Sequence, residues 1–165
     1  MNAVLCPSVL TVLKQAIHPV EACIQPDDGP WLEYLAYDRA YLYSALCTTQ
    51  TFFDFVREAA FDGRAMQHLN KTLRALRQNL ALPQLATSDS TIATVMTLVL
   101  LADVMNDRNA ARRHMQGLYQ LVHMRGGIAG LRHNRELQAK VLRYEVQPFP
   151  LPGLTLITDR QIDWA

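Results

Sequence analysis

The chain reads as an all-α protein, an irregular bundle of about five to seven helices, on three observations. Apolar residues recur at intervals of three and four almost throughout. Gly, Pro and Asn/Asp clusters fall between the periodic stretches rather than inside them. No stretch alternates apolar and polar residues as a half-buried strand does. At 165 residues, half of them hydrophobic, the chain has the size and composition of one globular domain with its own core. The expected division is a helical domain over residues 1–146 and an irregular tail over 147–165.

The elements follow in order. Ser8–Ile17 is expected to form a first short helix stopped by His18-Pro19, and residues 26–30 (PDDGP) form a turn. Pro30 suits a first helical position. A helix from Trp31 to about Thr49 is expected to bury Leu32, Leu35, Ala36, Tyr43, Leu46 and Cys47, with Phe52–Phe61 extending it or forming a short helix before Gly63. Met66, Leu69, Leu73, Leu76 and Leu80 then mark an amphipathic helix ending near Pro83, with Lys71, Arg74 and Arg77 off the stripe. Ser88 or Asp89 caps the next helix, which runs to about Met105. Its apolar residues surround the axis, so Ile92–Met105 is expected at the centre of the bundle. After a polar turn at 106–109, Ala110–Met124 forms a helix with Met115, Leu118 and Val122 inward, closed by Gly126-Gly127 in the left-handed conformation. A last helix spans Arg135–Glu145, and Pro148, Pro150, Pro152 and Gly153 forbid its continuation.

Charge and cysteine content exclude several classes. The net charge of +1 hides an acidic residues 1–63 (net −5) and a basic 107–143 (net +6). Cys6, Cys23 and Cys47 are too few and too scattered for a disulfide framework or a close-paired zinc site, and read as reduced thiols of an intracellular protein. Met1–Leu13 lacks the basic start and cleavage pattern of a secretory signal. The longest apolar run, Thr91–Ala102, is about 12 residues, short of the ~20 that cross a bilayer. No contact with a membrane is expected.

One segment carries more. Residues 86–131 contain Ser88, Asp89 and Thr91–Val95, then a polar turn, then Ala111, His114, Met115, Gly117 and Leu118, and finally Arg125-Gly126-Gly127. In that order and spacing they resemble the regulatory region of fungal zinc-cluster transcription factors. Leu73-Arg74-Ala75-Leu76-Arg77 fits the helix often found upstream in that family, and the resemblance covers about residues 38–145. It implies a helical regulatory (effector) domain that works in transcription, in the nucleus. Its partners would be proteins (transcriptional machinery or a second copy) or a small apolar ligand. The chain departs from the family in lacking the six-cysteine zinc cluster and basic linker, so the resemblance implies no DNA-binding module and no sequence-specific contact with nucleic acid. It also stops soon after the Gly-Gly segment, where the family usually continues, so a truncated, fragmentary or stand-alone form is expected. The rival reading is a stand-alone metabolic protein, cytoplasmic, that reuses the fold to bind or transform an apolar small molecule.

No residue is assigned a catalytic, cofactor-binding or metal-binding role. A nucleophile elbow, phosphate loop, H-E-x-x-H helix and contextual carboxylate pair are all missing, so no enzyme activity is expected. Ser88, Asp89 and His114 do not make a triad, and Asp27-Asp28 is a turn. His114 reads as a partly buried packing histidine bonded to a neighbouring helix, and lies nine residues from His123, the wrong spacing for a metal pair. Arg125-Gly126-Gly127 is a helix cap rather than an RNA-binding box. Gly117, mid-helix, predicts close approach of another helix. Arg108, Arg112, Arg113, Arg125, Arg132, Arg135, Lys140 and Arg143 are expected on a solvated face or paired with the acidic first third.

Overall fold

The computed structural model describes residues 31–56 and 63–146. Within them it is all-α, with seven α-helices and one 3-10 turn. The helices are α1 (Trp31–Tyr37), α2 (Arg39–Val56), α3 (Gly63–Ala81), α4 (Pro83–Ala86), α5 (Asp89–Val104), α6 (Arg108–Met124) and α7 (Arg135–Val146), with the 3-10 turn at Ile128–Leu131. The predicted helix at Ser8–Ile17, the turn at 26–30, Cys6, Cys23 and the proline-rich tail lie outside the described residues.

α5 is the axis of the fold. Its apolar residues encircle it, so its neighbours must cover it on every side. α2, α3, α6 and α7 all pack against it, and α2 and α3 pack against each other. Ile92, Val95, Met96, Leu98, Val99, Leu100, Leu101 and Ala102 are buried, as the sequence predicts for a central helix. Its buried hydroxyls are satisfied locally, Thr94 Oγ1 donating to Ser90 O at 2.8 Å. Leu118, Leu121 and Val122 of α6, Leu131 of the 3-10 turn, and Leu137 and Val141 of α7 complete the core.

Local chemistry sets the boundaries. Ser88 caps α5, its Oγ accepting the Thr91 amide. Asp107 does the same for α6, accepting the Ala110 amide at 2.8 Å, so this helix starts at Arg108 rather than Ala110. The turn between them is made possible by Asn106, the one non-glycine with positive φ among the described residues (55°). α6 ends in a Schellman motif. The Gly127 amide bonds Val122 O at 2.9 Å and the Gly126 amide bonds His123 O at 3.0 Å, while both glycines have positive φ, 99° for Gly126 and 72° for Gly127.

Three expectations are corrected. The helix from Trp31 breaks at Asp38, whose Oδ1 accepts the amides of Ala40 (2.8 Å) and Tyr41 (3.3 Å) and so begins α2 afresh. The break resets the face: Tyr34, Ala40, Ser44 and Cys47 are buried, while Ala36 is exposed. On α3 the buried line runs through Ala65, Thr72 and Leu76, on one flank of the leucine stripe. Leu69 and Leu73 are half-buried, and Met66 (42%) and Leu80 (43%) are left exposed. Gly117 is not a site of close approach, since a Cβ there would meet no atom within 4 Å.

Candidate functional site

Polar side chains from five separate segments converge where α5 begins. Asp89 stands in the first turn of α5, where a carboxylate also complements the helix dipole. Its Oδ1 accepts Arg125 Nη2 at 2.8 Å, and its Oδ2 accepts Asn134 Nδ2 at 2.9 Å and lies 3.0 Å from His133 Nε2. Arg125, at the C-cap of α6, also donates to the carbonyl of Thr87 and lies 3.0 Å from His133 Nε2. Asn134 caps α7 by accepting the Leu137 amide at 3.0 Å and donates to the Tyr34 hydroxyl at 2.8 Å. A second set adjoins it: Asn79 Nδ2 lies 3.1 Å from Asp38 Oδ2 and 3.4 Å from Thr91 Oγ1, which in turn accepts from Ser88 Oγ at 3.0 Å. α1, α2, α3, α5, α6 and α7 are thereby tied at one end of the bundle.

This arrangement holds helices together. Both Asp89 oxygens are engaged, and the hydroxyl of the preceding residue, Ser88 Oγ, bonds Thr91. Burial, reinforced by the Asp89 charge, drives the Tyr34 phenol above its ordinary range, so it stays protonated. Ser88-Asp89-x-Thr91 is thus a cap-and-clamp sequence. His133 and Asn134, which the sequence reading missed, meet Asp89, whereas His114 sits in the first half of α6. Because α5 and α6 run antiparallel, that position is toward the far end of α5.

The remaining titratable groups are scattered. Burial, with Arg113 beside it, lowers the pKa of half-buried His114; burial and Lys71 do the same to His68. Burial raises the Asp103 carboxyl, an effect partly offset by Arg108, and pushes the Cys47 thiol up to about 11. His123 is exposed at the end of α6. No group of three or more His, Cys, Asp or Glu among the described residues is placed to hold a metal. No described helix is long and apolar enough to cross a membrane.

Two concavities among the described residues bear on ligand binding. A cleft between α5 and α7, lined by Tyr34, Met96, Leu100, Asn134, Leu137 and Lys140, encloses about 50 Å³. That is room for a few waters, against roughly 300 Å³ or more for an ordinary ligand pocket. The other is an open hollow of about 560 Å³ on the outer side of the α6 C-terminus, floored by Val122, Gly127 and Ile128 and rimmed by Tyr119, Gln120, His123 and Met124. Of the predicted basic residues, Arg125 pairs with Asp89 and Lys140 with Glu136 (2.8 Å), while Arg112, Arg113, Arg132 and Arg135 are exposed. The two pairings are thus not with the acidic first third of the chain.

Comparison with known proteins bears on this geometry in one way. No curated protein and no solved structure matches the chain. A family model does, over residues 12–147, a wider span than the resemblance read from the sequence and one that takes in every described helix. The chain therefore belongs to the fungal specific transcription factor domain family.

Proposed function

We propose that this chain is a regulatory (effector) domain in transcription that acts in the nucleus through contacts with other proteins, with sequence recognition of DNA supplied by another polypeptide segment or a partner. The family match over residues 12–147 carries the reading. The interior supports contact through the surface rather than through an enclosed effector, because the polar groups at the head of α5 bond one another and the α5–α7 cleft measures about 50 Å³. Within this reading residues 1–146 form the regulatory domain and 147–165 an irregular tail, and the domain catalyses nothing.

The test is to fuse the whole chain to an unrelated DNA-binding module and measure a reporter carrying that module's sites in a fungal host. A several-fold rise or fall relative to the module alone is the expected outcome. Unchanged output from a fusion that is folded and nuclear would sink the reading. A gel shift of the unfused chain at physiological salt checks the other half: preference for one duplex over scrambled competitors would place DNA recognition in this chain after all.

A further inference from the structure

The outer face of α6 carries two features that neither the core nor the clamp uses. From Arg108 to Met124 the helix has no Asp or Glu, and its exposed stripe runs from Arg112 and Arg113 through Gln116 to Tyr119, Gln120, His123 and Met124. Tyr119 is 43% and Met124 67% exposed, and both flank the open hollow over Ile128. Gly127 keeps the floor of that hollow bare, since a Cβ there would meet nothing within 4 Å. The two arginines precede the hollow by roughly 10–16 Å along the helix at 1.5 Å per residue. Exposed Tyr, Met and Arg around a depression form the composition that protein interfaces enrich, and Met adapts to more than one side chain.

We infer that this face of α6 docks an acidic segment of another protein, a bulky apolar side chain entering the hollow between Tyr119, Met124 and Ile128 while Asp or Glu residues face Arg112 and Arg113. The inference rests on the regulatory reading above. Charge decides the occupant: a face with Arg112 and Arg113 and no Asp or Glu favours an acidic segment and opposes a basic one. Duplex DNA, its bases stacked inside, offers such a hollow phosphate and sugar rather than an apolar group, which favours a protein segment there.

The probe is a synthetic amphipathic peptide of about 20 residues, long enough to span a helix of this length, with Leu and Phe on one face and Glu on the other. Its counterpart carries Lys in place of Glu. Binding to the full chain is read by fluorescence anisotropy. The acidic peptide is expected to bind with Kd on the order of 100 µM and the Lys peptide at least about tenfold more weakly. Arg112→Glu with Arg113→Glu should reverse that preference. Met124→Gln and, independently, Tyr119→Ser should each weaken the acidic peptide about five- to tenfold. All four side chains are exposed, so thermal unfolding should stay at the parent value, and the two anchor variants back each other up if one fails to fold. Equal binding of the two peptides, variants without effect, or duplex DNA preferred over the acidic peptide would each overturn the inference. So would a dimer in sedimentation that the same variants dissolve, which would make a second copy the occupant. Peptide binding is read on the purified chain and regulation on the reporter fusion, so the two readings fail separately.

Discussion

Removing the Asp89 carboxylate tests the clamp at its centre. Asp89→Ala deletes the charge-assisted bond to Arg125 at 2.8 Å, the bond to Asn134 at 2.9 Å and the contact with His133 at 3.0 Å. The side chains of Asp89 and Arg125 are only 15% and 25% exposed, so this ion pair is not a solvent-screened surface pair of negligible value. A hydrogen bond to a charged group contributes about 1.5–3 kcal/mol and a neutral one about 1. The carboxylate at the α5 N-terminus adds roughly 0.3–1 kcal/mol through the helix dipole. His133 is 53% exposed and is given no weight. Asp89→Ala should therefore cost about 3 kcal/mol, or roughly 6–12 °C in Tm for a chain of this size. Arg125→Ala and the double variant complete a cycle, read by urea unfolding followed by circular dichroism. The expected coupling is about 1.5–3 kcal/mol, because the second removal takes away a bond already lost. Two single losses that add to within about 0.5 kcal/mol would refute the claim that these residues act as a unit.

Other consequences are as direct. Gly127→Val should lose at least ~1–2 kcal/mol of stability, since its φ of 72° is one that β-branched residues resist, and a parental melting curve would contradict the Schellman geometry. Gly130→Ala should also destabilise for a different reason: a Cβ there collides with the Arg125 carbonyl, and the clamp holds that residue in place. Ile92→Ala, at the fully buried centre of α5, should cost about 2–5 kcal/mol in the same unfolding assay. Acidification should destabilise the fold. His114 and His68 have pKa values below the ordinary 6.5, so the unfolded chain takes up protons first and stability falls as pH drops through about 6.5 toward the folded values. His114→Gln and His68→Gln should each flatten that slope, and an unchanged slope in both single variants would show that other groups set it. Cys47, buried with its thiol pushed up to about 11, should resist Ellman's reagent until the protein unfolds, measured with Cys6 and Cys23 replaced by Ser.

What was legible in the sequence was local. The cap at Ser88, the encircling apolar residues of α5 and the glycine pair after α6 are read from neighbours within four or five positions, and each stands where the pattern placed it. The break at Asp38 was missed because the apolar spacing runs through it, and only the capping bonds to Ala40 and Tyr41 reveal a second helix start. The leucine stripe of α3 misled at its ends because spacing fixes which residues share a face, not how far the neighbouring helices extend along it. Gly117 was judged by its cost in a helix, but nothing approaches it. The clamp was hidden for a plainer reason. Asp89 meets Arg125, His133 and Asn134 across 36 to 45 residues, and no periodicity links them.

That separation has a kinetic side. The bond from Asn134 to Tyr34 closes a loop of 100 residues, while that from Arg125 to Asp89 closes one of 36. Loop-closure entropy alone makes the longer one about 1 kcal/mol costlier to form. α5 and α6, joined by a three-residue turn, can pair as a hairpin well before α1 and α7 meet. The tie between α1 and α7 is then among the last contacts made and the first released. Substitutions at Tyr34 or Asn134 should chiefly quicken unfolding and leave the folding rate nearly alone, so this bond governs how long the assembled domain persists rather than how fast it is reached.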